Sequence, residues 1–293
     1  MKQFILNEAP DSGGVVRLSG KDFHYLVRVR RLKEGAVFEA LLPPRANPSA
    51  EADAGTSRES TGVKVRVLVQ SLAGGVLTGE CLPVELIDET ALPPIILFQA
   101  LPKGAKLDLI VRQATEGGIN EIRPFISDYA VPRGFVEKDE QDKAGRVERW
   151  RRIIKEARQQ SGSSIATEIE APCTVEALLE YWGELRKKCE RPLGIILHQT
   201  PQMSTGPRGS VGPLARDTFH DYLSINPDLV ALAVGPEGGF SPDELSRFLA
   251  AGFKPLVIGN TILRTETAAL YAAAAVRVIL LENKTWTLKY PDR

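Results

Sequence analysis

The sequence predicts an α/β protein in which a small β-barrel precedes an α/β domain with a mainly parallel sheet. Short strand-like segments between glycines fill the first ninety residues. From Ile95 onward, apolar segments alternate with helical ones, and prolines at 83, 93 and 94 mark a linker between the two patterns. The chain has 293 residues, 43% of them hydrophobic and 25% charged, which suits two soluble domains of ordinary size.

The amino-terminal strands are expected at residues 4–6, 15–18, 36–41, 63–69 and 75–82. In the fourth of these, valines at alternate positions share one face, and Lys64 and Arg66 lie on the other. Several short strands at close spacing predict a small barrel over residues 1–88. Residues 43–62 contain no large apolar side chain, so we expect a mobile surface loop there.

The second domain, residues 89–293, shows strands and helices in alternation. Strands are expected at 95–100, 121–127, 193–197, 229–234 and 255–258, and helices at 106–116, 143–160 and 175–188. This order predicts a parallel sheet whose ligands lie beyond the carboxyl ends of the strands. The last helix, 264–282, is apolar on nearly every side, so we expect it to be buried in the core or against a partner subunit.

Several classes of protein are disfavoured. The cysteines, Cys81, Cys173 and Cys189, are far apart and form no C-x-x-C pair, and three histidines are scattered, so neither a disulfide framework nor a metal site is expected. The start of the chain does not resemble a signal peptide, and no stretch of 18 uncharged apolar residues occurs. We therefore expect a cytoplasmic protein with no membrane partner.

The charge is balanced overall but clustered locally. The 37 basic and 37 acidic side chains cancel, which argues against a strong non-specific nucleic-acid binder. However, the segment from Arg17 to Lys33 contains six basic residues and one acidic residue. The segment from Lys143 to Arg158 contains seven basic residues and two acidic ones. Such patches suit a protein that contacts phosphate groups at chosen places, although each run could equally be a solvated helix face.

Two loops carry the most specific pattern in the chain. In the first, a buried strand ending at Val234 runs into Gly-Pro-Glu-Gly-Gly, whose glycines let a ligand approach the backbone. Ser241, Pro242 and Glu244 then predict a helix start with a capping box. The second loop, 258–264, leads into the last helix, and both loops should converge at the carboxyl edge of the sheet. A plain strand-to-helix turn is the alternative for the first loop alone. The phosphate-binding patterns of dinucleotide and P-loop proteins are missing.

The two loops read GPEGGFS-x-x-E, over 235–244, and G-x-x-I-L-R-T-E-T-A, over 259–268. Together they look like the signature of the RsmE family, which methylates N3 of a uridine in 16S ribosomal RNA. Blocks in the family's order also occur at residues 24–32, 103–116, 124–127, 156–162 and 197–198. The chain departs from the family at Gly117, where leucine is usual, and at Ser163, where arginine is usual.

The resemblance implies a SPOUT α/β domain with a carboxyl-terminal trefoil knot, preceded by a PUA-like RNA-binding barrel. It also implies S-adenosylmethionine as cofactor, 16S RNA within the small subunit as partner, and a homodimer. The expected cofactor-binding residues are Leu197, His198, Gly235, Pro236, Glu237, Gly238, Gly239, Ile258, Gly259, Ile262, Leu263, Arg264, Thr265 and Ala268. The expected RNA-binding residues are Arg17, Arg28, Arg30, Arg31, Lys103, Arg151 and Arg152.

The chemistry requires that uridine N3 lose its proton before it attacks a methyl group. Arg264 is the candidate partner for the resulting negative charge, and Glu266 or Glu237 is the candidate general base. The structural alternatives are an ion pair between Arg264 and Glu266, and a bracing role for Glu237 in the glycine turn. His198 is expected to form a wall of the cofactor pocket.

Three other functions stay open at this point. The first is a non-catalytic RNA-binding protein, which would keep the basic patches without needing both loops. The second is a methyltransferase of the same fold that acts on another RNA nucleotide. The third is a nucleotide-binding oxidoreductase, which the missing dinucleotide fingerprint disfavours.

Overall fold

The computed structural model of the chain describes residues 4–42, 64–82, 92–130, 140–198, 218–258 and 261–283. Contacts group the chain into two compact units, Met1–Glu89 with Lys155–Ala166, and Thr90–Ile154 with Thr167–Arg293. The loop expected at 43–62 and the polar segment 203–217 lie outside the described residues.

A mixed five-stranded sheet forms the first unit. Its strands are β1 (Phe4–Ile5), β2 (Val15–Leu18), β3 (Val37–Leu41), β4 (Lys64–Ala73) and β5 (Val76–Leu82), in the order β1-β3-β4-β5-β2. β1 is parallel to β3, and the other neighbours are antiparallel. Along β4 the predicted alternation is confirmed, because Val65, Val67 and Val69 are buried and Arg66 is exposed.

A helical segment in this unit was not predicted. α1 (Gly20–Phe23) continues into a π-helical turn, His24–Val29, that buries Leu26 completely. Arg31, which follows the C-cap Arg30, has a left-handed φ of 57°, and the Leu32 N–H donates to the Leu26 carbonyl at 3.0 Å. For a residue with a Cβ, this conformation costs roughly 1–2 kcal/mol.

The second unit is built on a seven-stranded sheet. Its strands are β6 (Ile95–Ala100), β7 (Glu121–Ile126), β8 (Glu168–Ile169), β9 (Cys173–Thr174), β10 (Pro192–Leu197), β11 (Leu229–Val234) and β12 (Phe253–Leu256). The order is β12-β10-β11-β6-β7-β8, β9 also pairs with β7, and every pairing is parallel. All residues of β6 and β11 are buried, as their apolar sequences predict. β12 begins and ends two residues before the predicted strand.

Helices cover both faces of this sheet. They are α2 (Lys106–Glu116), α3 (Glu140–Ser161), α4 (Val175–Lys187), α5 (Phe219–Leu223), α6 (Pro242–Ala250) and α7 (Thr265–Asn283). One core joins α2, α3, α5 and α7 to the sheet, and the other joins α4 and α6 to it. The parallel α/β architecture is therefore confirmed.

One face of α7 is exposed within the single chain. Leu270, Tyr271 and Val278 have exposed fractions of 37%, 57% and 41%, whereas Ala272 and Val276 are fully buried. Burial of this helix in the core on every side is therefore wrong, and burial of the exposed face against a partner stays a prediction. None of the helices in the described ranges has the length and apolar character that a membrane crossing requires.

Candidate active site

Loops from neighbouring strands meet at the carboxyl edge of the second sheet. We call Gly235–Gly239, which follows β11, the glycine loop. The Thr265 hydroxyl, at the start of α7, donates to the Gly235 carbonyl at 2.7 Å. The same hydroxyl oxygen accepts a hydrogen bond from Gln99 Nε2, at the end of β6, at 3.0 Å. The predicted convergence of the two loops is thus confirmed, and a third strand end joins it.

The contribution of Gln99 was missed in the sequence. This side chain is fully buried, and its Oε1 has no hydrogen-bond partner among the residues that the structure describes. The available signal was a single polar residue in the otherwise apolar run Ile-Ile-Leu-Phe-Gln-Ala. A buried amide usually satisfies both of its ends, so an unpartnered oxygen at the meeting point of two loops needs an explanation, and a bound ligand would supply one.

The glycine loop depends on its glycines for different reasons. Gly239 has a left-handed φ of 73°, and its N–H donates to the Pro236 carbonyl at 2.9 Å. A Cβ on Gly235 would lie 3.2 Å from the Phe240 ring, and one on Gly238 would lie 3.0 Å from Tyr129 Cβ. Gly238 is nevertheless exposed, so a ligand can reach its backbone.

Glu237 connects the glycine loop to the start of α2. Its carboxylate accepts hydrogen bonds from Lys106 Nζ at 2.7 Å and from the Lys103 N–H at 3.3 Å. Burial acts to raise the pKa of Glu237, but the Lys106 and backbone hydrogen bonds outweigh it and hold the pKa below its usual range. These contacts are the ones expected of a loop brace.

Glu266 and Arg264 lie beside the same lysine. Glu266 Oε2 is 3.7 Å from Lys106 Nζ, is buried, and has no hydrogen-bond partner within the described ranges. The hydrogen bond to Glu237 raises the pKa of Lys106, and the charge of Glu266 adds to the effect, whereas burial and the charge of Arg264 oppose it. Arg264 is exposed, and no ion pair joins it to Glu266 in the described part of the chain.

The start of α6 holds the far side of the glycine loop. Ser241 Oγ accepts from the Glu244 N–H at 3.1 Å, and Glu244 Oε2 accepts from the Ser241 N–H at 2.8 Å, so the predicted capping box is confirmed. Glu244 also accepts from Ser127 Oγ–H at 3.1 Å and from the Asp128 N–H at 2.9 Å. No sequence pattern indicated this link to the end of β7.

The other expected cofactor residues occupy strand ends and the loop before α7. Leu197 is the last residue of β10 and His198 follows it, with the His198 N–H donating to the Leu256 carbonyl at 3.0 Å. Burial lowers the pKa of His198. Pro236 is buried, Ile262 is 75% exposed, and Gly259 lies outside the described residues; Ile258, Leu263 and Ala268 are partly buried.

The expected RNA-binding residues differ in their exposure and in whether they form ion pairs. Arg17 pairs with Asp11 at 3.0 Å, and Arg151 pairs with Glu148 at 2.6 Å. One guanidinium nitrogen of Arg30 is buried without a partner. The remaining residues of this set are exposed: Arg28, Arg31, Lys103 and Arg152.

Part of the basic run in α3 serves the fold. Arg149 and the Trp150 indole both donate to the Asp108 carboxylate, and Arg158 is buried. This basic patch is therefore smaller than its sequence implies. Within the described ranges, no group of three potential metal ligands occurs.

Comparisons with known proteins agree with this geometry. Residues 89–277 match the model of the RNA methyltransferase domain family. The ribosomal RNA small subunit methyltransferase E of Synechocystis is 30% identical over 268 residues, covering 90% of this chain and 73% of that protein. The protein of the same name from Bacillus subtilis is 26% identical, covering 92% of this chain and 91% of its own length.

A solved structure shares the fold. The ribosomal RNA small subunit methyltransferase E of Neisseria gonorrhoeae, crystallised with S-adenosylmethionine, superposes with a TM-score of 0.67 at 22% identity, covering 95% of this chain and 98% of that one. At this identity the superposition shows the fold alone, whereas the family model and the Synechocystis relative show membership. The chain thus belongs to the RNA methyltransferase family, and within it to the RsmE group that its two loops resemble.

Proposed function

We propose that this protein transfers the methyl group of S-adenosylmethionine to N3 of a uridine in the 16S RNA of the small ribosomal subunit. The observation that carries the proposal is the junction of Gln99, Thr265 and Gly235, which fixes three strand-end loops around an exposed glycine backbone. Relatives named ribosomal RNA small subunit methyltransferase E support a methyltransferase that acts on small-subunit ribosomal RNA.

The residues at the junction fit the cofactor. The exposed Gly238 backbone offers close approach, and Gln99 Oε1 is an acceptor to which no described residue donates. The cofactor would supply an electrophilic methyl group, and the expected residues of the glycine loop and of 258–268 would hold it, together with Leu197 and His198. The structures of relatives crystallised with S-adenosylmethionine support this choice.

Arg264 would stabilise the deprotonated uracil ring. It is exposed beside the glycine loop and has no ion pair among the described residues, so its guanidinium is available to O2 or O4. A fixed donor at a developing charge is typically worth roughly 10²–10³ in rate. The alignment of N3 with the methyl group would supply the rest of the rate acceleration.

The two glutamates suit different roles. Glu237 is held ionised by Lys106 and by the Lys103 N–H, so we assign it to bracing the loop. In the described part of the chain, one carboxylate oxygen of Glu266 has no hydrogen-bond partner, and Glu266 is therefore the better candidate for the general base. Lys106 would position both carboxylates.

RNA binding and assembly complete the proposal. We infer that residues 1–88 form a PUA-like RNA-binding barrel and that residues 89–293 form a knotted SPOUT domain in a cytoplasmic protein. The exposed apolar face of α7, formed by Leu270, Tyr271 and Val278, supports a homodimer that covers it. Sedimentation should then give a dimer at micromolar concentration, and a fully active monomer would contradict this assembly.

Two experiments test the activity. A native-state ligand raises the melting temperature, so S-adenosylmethionine should stabilise the purified protein and NAD should not. Ribosomal RNA from a deletion strain should lack an N3-methyluridine that a plasmid copy of the gene restores. Stabilisation by neither compound would favour a non-catalytic RNA-binding protein, and loss of a different modified nucleotide would change the assigned target.

A further inference from the structure

The segment after β7, Ser127–Tyr129, is fixed against the glycine loop by a set of hydrogen bonds that we call the clamp. Glu244, only 1% exposed, accepts from Ser127 Oγ–H and from the Asp128 N–H. Asp128 Oδ2 in turn accepts from Ser241 Oγ–H at 2.5 Å. Since Ser241 is the N-cap of α6 and Glu244 lies in its first turn, the segment is anchored to the start of that helix.

The clamp places Tyr129 beside the exposed part of the glycine loop. Tyr129 Cβ is so close to Gly238 that a Cβ there would lie 3.0 Å away. The side chain is nevertheless 49% exposed, and its hydroxyl makes no hydrogen bond to the described residues. A tyrosine that only filled space would bury its ring, so the anchoring of this segment serves something other than core packing.

The neighbouring loops show why this position matters. In the sheet order β11-β6-β7, the glycine loop contacts the loop after β6 through Glu237 and the loop after β7 through Gly238. Lys103 and Arg264 supply exposed positive charge near Glu237 and Lys106. Tyr129 supplies the exposed aromatic ring on the β7 side. A flat apolar surface beside cations is the arrangement that binds an unstacked base and its phosphates.

We infer that the ring of Tyr129 is the surface on which the target base of the RNA stacks. The inference rests on the proposed function, because it needs an RNA base brought to the cofactor loop. Methyl transfer to N3 requires the base to leave its neighbours in the RNA and to be held in one plane. The clamp then acts through Tyr129, and Glu244 is a positioning residue that touches neither reactant.

Three substitutions at one position separate stacking from packing. Tyr129→Phe keeps the ring, Tyr129→Leu keeps apolar bulk against Gly238 without a ring, and Tyr129→Ala removes both. The substrate is small ribosomal subunits purified from a strain whose RsmE gene has been deleted, so that the target uridine is unmethylated. We expect Tyr129→Phe to keep the parent KM for subunits, and Tyr129→Leu and Tyr129→Ala to raise it about five- to 150-fold. The melting temperature and the Kd for S-adenosylmethionine should stay at the parent values.

A crosslinking experiment gives a readout that does not depend on turnover. An RNA fragment with 5-iodouridine at the methylated position, irradiated with the parent protein, should attach to the peptide that contains Tyr129. The inference would be overturned if Tyr129→Leu had the parent KM for subunits, or if the RNA crosslinked to a peptide without Tyr129. A weakened Kd for S-adenosylmethionine in Tyr129→Ala would instead assign the ring to the adenine. If the parent protein binds no S-adenosylmethionine, it is the proposed function that fails.

Discussion

Replacement of Glu244 by glutamine is the most direct test of how the fold supports the site. The carboxylate accepts from the Ser241 N–H, from Ser127 Oγ–H and from the Asp128 N–H while only 1% exposed. Glutamine has nearly the same shape, so the change removes the charge and one acceptor without leaving a cavity. The capping hydrogen bond from the Glu244 N–H to Ser241 stays possible.

The cost follows from counting donors. The amide oxygen of glutamine can keep the bonds from Ser241 and Ser127, but its NH2 group then faces the Asp128 N–H. The Asp128 N–H is only partly buried, so leaving it unsatisfied costs at most the value for a buried donor, about 1–3 kcal/mol. Loss of negative charge at the first turn of α6 adds about 0.3–1 kcal/mol. Together these terms give an expected loss of about 1–4 kcal/mol, which lowers the melting temperature by about 2–16 °C in a domain of this size.

The matched control is Glu176→Gln in the first turn of α4. Glu176 pairs with Arg247 at 2.5 Å, but its side chain is 60% exposed, so its loss should cost about 0–1 kcal/mol. Thermal unfolding followed by circular dichroism compares the two variants with the parent. If Glu244→Gln lowered the melting temperature no more than Glu176→Gln, the buried carboxylate would not be the anchor that we describe.

The remaining predictions concern chemistry, RNA and pH. Arg264→Ala should bind RNA and S-adenosylmethionine normally but transfer methyl groups roughly 10²–10³ times more slowly, and single-turnover rates near the parent value would contradict the electrostatic role. Neutralising Arg28, Arg30 and Arg31 should weaken RNA binding and flatten its salt dependence by about one unit per lost phosphate contact. Arg31→Gly alone should also raise the melting temperature, because it removes the cost of a left-handed φ of 57°. Burial lowers the pKa of His198, so the contribution of its neutral form to stability is present above pH 6.5 and is lost as the pH falls through the folded-state pKa. His198→Asn should therefore reduce the change in melting temperature measured between pH 8 and pH 5.

Local patterns predicted most of the second unit. The buried strands β6 and β11 and the helix α2 have the predicted bounds, because continuous apolar runs and helix-ending glycines are strong local signals. The capping box at Ser241 was visible for the same reason. The short strands β8 and β9 were missed, since two residues carry no periodicity.

Contacts between distant segments could not be predicted in the same way. The π-helical turn His24–Val29 has no local signal that separates it from a loop. The bracing of Glu237 by Lys106 joins residues 131 positions apart, and the link from Glu244 to Asp128 spans 116. The sequence pattern at 235–244 identified the glycine loop, but only the sheet order determines which neighbouring loops contact it.

The junction of Gln99 and Thr265 has a consequence for biosynthesis. These two residues are 166 positions apart, so at roughly 5–20 residues per second the ribosome makes one about 8–33 s after the other. Until Thr265 leaves the exit tunnel, the Gly235 carbonyl and the Gln99 amide lack the hydroxyl that joins them. A nascent chain in which Thr265 is still in the tunnel therefore has no assembled junction, and methylating capacity should arise only after Thr265 has left it.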